Sequence, residues 1–226
     1  SRHGISCSRH LSRSQAEIPL IPAVQISRAS SKYRTVPKPV HGRTRTPSSG
    51  IERVHIEDFA QVFRVCPSRK YDGAAYHDIA AAHGGAVSSA AALEFVRRLA
   101  LAVLTGNGDM HLKNWSLIYH GKGDKRALAP VYDVLSTVPY IPSDAMALSL
   151  AGERPFKAMN AQRWKVFAHR TRLPEAAVLK AVTETVERVN QSWWSLPERA
   201  VLPNKVSERV DAHIKLMSPI LGTCAD

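Results

Sequence analysis

Residues 88–105 constrain the chain more than any other stretch. Leu93, Val96, Ala100, Val103 and Leu104 recur at spacings of three and four, with Arg97 and Arg98 falling between them. That pattern predicts a helix buried along one face. Ser88 or Ser89 can cap its start, and Gly106 ends it. Gly106-Asn107-Gly108 then permits a sharp turn, because glycine tolerates positive φ. The next residue is Asp109, so a rigid helix delivers a carboxylate to a fixed place.

The residues that follow read as two strands. Residues 115–119 alternate and carry aromatic and β-branched side chains, a strand signal. Gly121-Lys122-Gly123-Asp124 is hairpin-turn chemistry. Residues 128–134 return as the second strand, interrupted by Pro130, which suits a strand end or an edge. An antiparallel hairpin of this kind is expected to start at Asp109, end at Asp133 and bring the two together, with Asn114 at the strand entrance. Phosphoryl transfer needs a carboxylate to orient the attacking hydroxyl. It also needs an amide oxygen and a second carboxylate to hold magnesium on nucleotide phosphates. Asp-x-x-x-x-Asn is the spacing of a protein-kinase catalytic loop, and a later metal-binding Asp is its continuation. Lys113 is placed to neutralise developing phosphate charge. Asp and Asn also populate turns for purely local hydrogen-bonding reasons, so the combination carries the reading and the spacing alone does not.

The rest of the chain is expected to be mainly helical. From Ile56 onward, Phe59, Val62 and Phe63 fit a short amphipathic helix, with Glu57 and Asp58 near its N-terminus and Pro67-Ser68 as its stop. Residues 76–83 read as a helix closed by Gly84-Gly85. His77 and His83 lie six apart, which does not put them on one helical face, so a metal pair is not expected there. Residues 160–169, 174–189 and 203–221 read as helices. The second buries Val178, Leu179, Val182, Val186 and Val189, and the last turns Val206, Val210, Ile214, Met217 and Leu221 inward. Trp193 and Trp194 are expected to pack in a joint between helices.

The net charge of +12 over 226 residues suggests a polyanion partner until it is located. Residues 1–50 hold nine Lys or Arg against Glu17 alone, so two thirds of the excess belongs to that leader. Any attraction to nucleic acid or anionic lipid resides mainly there. The leader is rich in Ser, Arg and Pro and lacks sustained periodicity, the composition of a mostly disordered basic segment. It also has the character of a targeting segment, or of residues foreign to the fold that begins near residue 51. Cys7, Cys66 and Cys224 have no zinc or redox spacing, which points to a reducing compartment, the cytoplasm. The apolar runs fall short of the roughly 18 residues that span a bilayer, so no membrane association is expected.

Two blocks, residues 105–116 (Thr-Gly-Asn-Gly-Asp-Met-His-Leu-Lys-Asn-Trp-Ser) and 128–136 (Leu-Ala-Pro-Val-Tyr-Asp-Val-Leu-Ser), together resemble the C-terminal domain of the HipA family. These are serine/threonine kinases that act as toxins of bacterial type II toxin–antitoxin systems. His55-Ile56-Glu57-Asp58-Phe59-Ala60-Gln61, Arg69-Lys70-Tyr71 and Leu202-Pro203 extend the resemblance over about residues 51–222. It implies a mainly α fold with a small β-hairpin, the C-terminal lobe of a distant protein-kinase relative, preceded by the 1–50 leader. It implies ATP and Mg2+ as cofactors and Asp109 as the catalytic residue. His111, Leu112, Lys113 and Asn114 would lie along the nucleotide phosphates, with Tyr132 beside Asp133, and Asn114 and Asp133 on the metal. The implied partners are a HipB-like DNA-binding antitoxin, through which DNA is reached only indirectly, and a protein substrate of the aminoacyl-tRNA synthetase class. The family's N-terminal lobe, with its phosphate-covering loop, nucleotide-binding Lys and adenine-contacting hinge, has no match in residues 1–50. The expectation is therefore a truncated or frame-disrupted kinase with reduced or no activity alone. The alternatives are an inactive partner-binding remnant and a nucleic-acid binder working through the leader.

Overall fold

A computed structural model describes residues 43–45, 51–120 and 126–222. The proposed hairpin turn at 121–124 and most of the 1–50 leader lie outside the described residues. Within the leader, Arg43–Arg45 (β1) nonetheless forms a strand that pairs antiparallel with Ile51–Arg53 (β2). Three residues of a stretch expected to lack structure are therefore ordered by a partner beyond its boundary.

His55–Asp58 forms a third strand, β3, where the sequence predicted the first turns of a helix. The spacing of Ile56 and Phe59 fits either element, and pairing across the sheet decides it. The helix that follows is one turn, Phe59–Val62 (α1). Asp58 caps it by accepting from the Gln61 N–H at 2.9 Å, while the Gln61 side chain accepts from the Asp58 N–H at 3.0 Å. This reciprocal box satisfies two N–H groups that a helix start leaves unpaired.

Tyr76–Ala86 (α2) runs through Gly84 and Gly85 instead of stopping at them. Glycine costs a helix only about 1 kcal/mol relative to alanine. Here the last turn is anchored by His83, fully buried, with its ring centroid 4.9 Å from that of Phe59 and 5.7 Å from that of Phe95. Burial pushes the His83 imidazole down to about 4, with the Arg98 charge acting in the same direction, so it packs as a neutral ring.

Ser89–Thr105 (α3) forms as the sequence predicts. Ser88 caps it by accepting from the Ala91 N–H at 3.1 Å, and Gly106 closes it in the left-handed conformation at φ 68°. Its buried face carries Phe95, Val96, Leu99, Ala100, Val103 and Leu104. Ser116–Tyr119 (β4) and Arg126–Leu128 (β5) complete a three-stranded antiparallel sheet in the order β3-β4-β5. Asp58 pairs with Ser116 and His55 with Tyr119. β5 is far shorter than expected: it ends at Leu128, and residues 129–136 follow as irregular chain. Pro130 removes the N–H that would continue the ladder.

Ala161–Thr171 (α4), Glu175–Ser192 (α5) and Asn204–Gly222 (α6) supply the remaining helices. Helix α3 is central and packs against α2, α5 and α6. Val178, Val182, Val186 and Val189 of α5 and Val210, Ile214, Met217 and Leu221 of α6 point inward as their spacing predicts; Leu179 and Val206 pack at the margin. The tryptophan pair divides. Trp193 is buried and donates to Asp211 at 2.7 Å. Trp194 is 39% exposed, with Arg199 and Lys215 over its ring, so only one of the two occupies the joint. Among the described residues, no helix is long and apolar enough to cross a membrane. The fold is mainly helical with two small antiparallel sheets among the described residues.

Candidate active site

The turn after α3 is held from below by a polar network that leaves little room for variation. The Thr137 hydroxyl accepts from the Gly108 N–H at 2.8 Å and donates to the Asp144 carboxylate. The Thr137 N–H donates to the Gly106 carbonyl at 2.9 Å. Asp144 also accepts from the Ala145 N–H at 2.9 Å. A Cβ on Gly108 would stand 2.1 Å from an Asp144 oxygen and 2.7 Å from the Ala145 carbonyl, so glycine is required for space. Gly106 is required twice over, by its positive φ and by Val138, whose methyl carbons would lie 2.7 Å from a Cβ.

Asp109 rises from this turn with its side chain 38% exposed. Its N–H is taken by the Asn107 side chain at 3.0 Å. Its carbonyl accepts from the Asn114 amide nitrogen at 2.7 Å, which ties the two ends of the Asp-x-x-x-x-Asn loop together. Beneath it, Met110 is buried, and its carbonyl accepts from the Tyr76 hydroxyl at 2.9 Å and the Trp115 indole at 3.3 Å. Leu112–Asn114 is one turn of 3-10 helix, with Leu112 and Asn114 buried and Lys113 exposed. The loop thus presents Asp109 and Lys113 outward while Asn114 is fixed from within.

His111 is 5% exposed, and burial lowers its affinity for a proton, with nearby Lys70 acting the same way and Asp109 and Asp133 opposing. Lys70 Nζ lies 2.7 Å from His111 Nε2. A lysine ammonium only donates, so Nε2 accepts and the ring is neutral with its proton on Nδ1. His111 Nε2 is 4.0 Å from Asp109 Oδ1. The charges of Asp109 and Asp133 both act on the His111 ring. The two residues are not strand ends, however. Asp109 stands in a turn before β4 and its 3-10 turn, and Asp133 stands five residues past the end of β5.

Asp133 is exposed and adopts φ 57°, a left-handed conformation that costs a non-glycine residue roughly 1 kcal/mol or more. Its neighbour Tyr132 does the anchoring. The phenol donates to the Lys113 carbonyl at 2.7 Å and accepts from the Ser116 hydroxyl. Burial, with smaller contributions from Asp58 and Asp133, leaves the phenol pushed up to about 12, so it stays a donor. Arg98 secures the approach to this segment by donating to the Ala129 carbonyl at 2.7 Å while pairing with Glu94 at 3.0 Å.

Tyr71 was absent from the expected site and stands at its centre. Its hydroxyl donates to Asp109 Oδ1 at 2.6 Å. Lys70, Thr137 and Asp144 were also missed as site residues. Lys70 and Tyr71 lie in a turn about 40 positions before the catalytic-type loop, and no spacing rule connects them to it. Among the described residues, no cluster of three or more His, Cys, Asp or Glu groups could hold a metal ion by itself.

The turn thus gathers Asp109 behind Gly108, an inward Asn114 and, through Tyr132, the segment that carries Asp133. The chain belongs to the HipA-like C-terminal domain family, whose model matches residues 34–193. It is 42% identical over 172 residues to a protein of Sinorhizobium fredii named Putative kinase Y4dM, and 32% identical over 162 residues to Putative kinase Y4mE of the same organism. Those matches cover 75% and 65% of this chain but only 41% and 36% of the relatives. Its fold matches a chain of the solved Shewanella oneidensis MR-1 toxin–antitoxin complex of HipA, HipB and operator DNA. The TM-score is 0.64 at 19% identity, over 80% of this chain and 46% of that one. The chain therefore spans less than half the length of these relatives.

Proposed function

We propose that the chain carries the catalytic lobe of a HipA-like serine/threonine protein kinase, the toxin of a toxin–antitoxin pair, which transfers the ATP γ-phosphate to a protein serine. The observation that carries the reading is the Asp109–Asn114 loop, closed by the Asn114–Asp109 hydrogen bond and tied through the Lys113 carbonyl to Tyr132, the neighbour of Asp133. Asp109 is the half-exposed carboxylate that orients the substrate hydroxyl and receives its proton. Asn114 spends its amide nitrogen on the Asp109 carbonyl, which leaves its oxygen as the end available to a cation. Asp133 offers an exposed carboxylate held in a costly backbone conformation, a feature that clusters at ligand sites. An amide oxygen and a carboxylate are hard donors suited to Mg2+, which binds through one or two carboxylates plus phosphate oxygens. The donor set thus fits the cation together with a nucleotide. Bound Mg2+ would neutralise the phosphates on which charge develops.

The chain's own residues supply the geometry. His111, Leu112 and Lys113 line the loop that faces the phosphates, with Lys113 the exposed positive charge. Tyr132 locks the backbone of Lys113 to the segment that carries Asp133. The partners proposed by kinship are a HipB-like antitoxin and a protein substrate of the aminoacyl-tRNA synthetase class.

Transfer of labelled γ-phosphate from ATP tests the reading, comparing the chain with Asp109→Ala. Mg2+-dependent transfer that Asp109→Ala abolishes is the expected result. A chain that neither transfers phosphate nor binds Mg-ATP removes the enzyme reading and leaves a partner-binding lobe.

A further inference from the structure

We propose that Tyr71 is the positioning residue of Asp109: its hydroxyl pins carboxylate oxygen Oδ1, so that Oδ2 is the oxygen presented to the substrate hydroxyl. The inference rests on the kinase reading of Asp109 and adds to it a residue outside the catalytic loop.

Four contacts make the Lys70-Tyr71 segment a brace. Tyr71 Oη donates to Asp109 Oδ1 at 2.6 Å. Lys70 Nζ donates to His111 Nε2 at 2.7 Å. The Lys70 carbonyl accepts from the Leu112 N–H at 3.2 Å. The Tyr71 ring meets the His111 ring edge-on, with centroids 5.1 Å apart. The segment therefore grips three residues of the loop, Asp109, His111 and Leu112. It is in turn fixed from behind, because Arg154 donates to the Tyr71 carbonyl at 2.9 Å and to Asp72 at 3.4 Å.

An aspartate side chain has two torsions, and one hydrogen bond to one oxygen is enough to select among its rotamers. Without the phenol, the half-exposed Asp109 carboxylate is free to turn toward solvent. Misplacing a catalytic group by about 1 Å costs rate far more than it costs binding. Tyr71 itself is 36% exposed, so removing its hydroxyl leaves the core untouched. The burial of the phenol and the Asp109 charge both hold its proton on, which keeps Tyr71 a donor while Asp109 acts.

The test compares the chain with Tyr71→Phe and Asp109→Ala in steady-state phosphoryl transfer to dephosphorylated casein, and compares crystal structures of the chain and Tyr71→Phe grown under the same conditions. Asp109→Ala is expected to abolish transfer. Tyr71→Phe is expected to lower kcat by about tenfold or more, with KM for ATP within about twofold and an unchanged thermal midpoint. In its crystal structure the Asp109 carboxylate should spread over more than one rotamer. Transfer that survives Asp109→Ala defeats the kinase reading of Asp109, and the two structures then still decide whether Tyr71 fixes the carboxylate. Wild-type kcat in Tyr71→Phe beside a dead Asp109→Ala, or an Asp109 carboxylate unmoved in Tyr71→Phe, overturns the proposal.

Discussion

Asp109 and Asp133 carry the same carboxylate, yet the chain treats them oppositely. Asp109 sits on a turn whose glycines have no room for a side chain, with backbone and carboxylate both held by hydrogen bonds. Asp133 is exposed, in a left-handed conformation, on irregular chain anchored mainly by the tyrosine beside it. A group that must meet a hydroxyl at a defined angle profits from being fixed before substrate arrives. A group that joins a metal's coordination sphere is ordered by the ion it binds. The contrast suits the two roles proposed for these residues, a pre-fixed carboxylate for the substrate hydroxyl and an ion-ordered one for the metal.

The largest expected effect comes from underneath the anchored side. His83 packs on Phe95, which packs on Trp115 at 4.4 Å, and Trp115 holds the Met110 carbonyl. Its folded value near 4 lies below the usual 6.5, so the unfolded chain binds the proton more readily. Stability is then full above pH 6.5 and falls as pH drops toward 4, by about 3 kcal/mol for this group. Urea unfolding at pH 7 and pH 4.5 should show the loss, and His83→Leu should flatten the slope across that window.

Gly108→Ala attacks the same side directly. The added methyl meets Asp144 and a backbone carbonyl, so the turn must shift. A loss of about 2 kcal/mol in chemical denaturation is expected, together with loss of phosphoryl transfer. The less anchored side should respond more weakly. Tyr132→Phe removes the bond to the Lys113 carbonyl and should cost about 1 kcal/mol. It should weaken Mg-nucleotide binding, read by calorimetry, more than it lowers the unfolding midpoint. Asp133→Gly has the smallest expected effect on stability and the opposite sign. Glycine relieves the positive φ, so the unfolding free energy should hold or rise by roughly 0.5 kcal/mol, while Mg-dependent nucleotide binding is lost.

The same division explains what could be read from the sequence. Helix α3, its Ser88 cap and its Gly106 stop follow from periodicity and local chemistry, and the Asp109 turn follows from them. β4 was legible because alternation and aromatic content agree. The strand at His55–Asp58 was not, because Ile56 and Phe59 satisfy a helical spacing and only pairing with Ser116–Tyr119 distinguishes the two. The run at residues 128–134 looked like a strand by composition, yet Pro130 ends the ladder and Asp133 reaches the site on irregular chain. Helix α2 passes two glycines because His83 is buried beyond the reach of any local rule. The acidic and amide residues of the site were visible as types in order. Tyr71, Lys70, Thr137 and Asp144 were not, because each acts through a contact between segments distant in the chain.

The measurement closest to the central claim is calorimetric titration of the chain with ATP, with and without Mg2+, repeated on Asp133→Ala and Asp109→Ala. If Asp133 holds the metal and Asp109 serves the substrate hydroxyl, the chain binds ATP in a Mg2+-dependent manner. Asp133→Ala then abolishes that dependence, and Asp109→Ala retains it. Equal Mg2+-dependent binding by the chain and Asp133→Ala, or its loss in Asp109→Ala alone, would contradict the account.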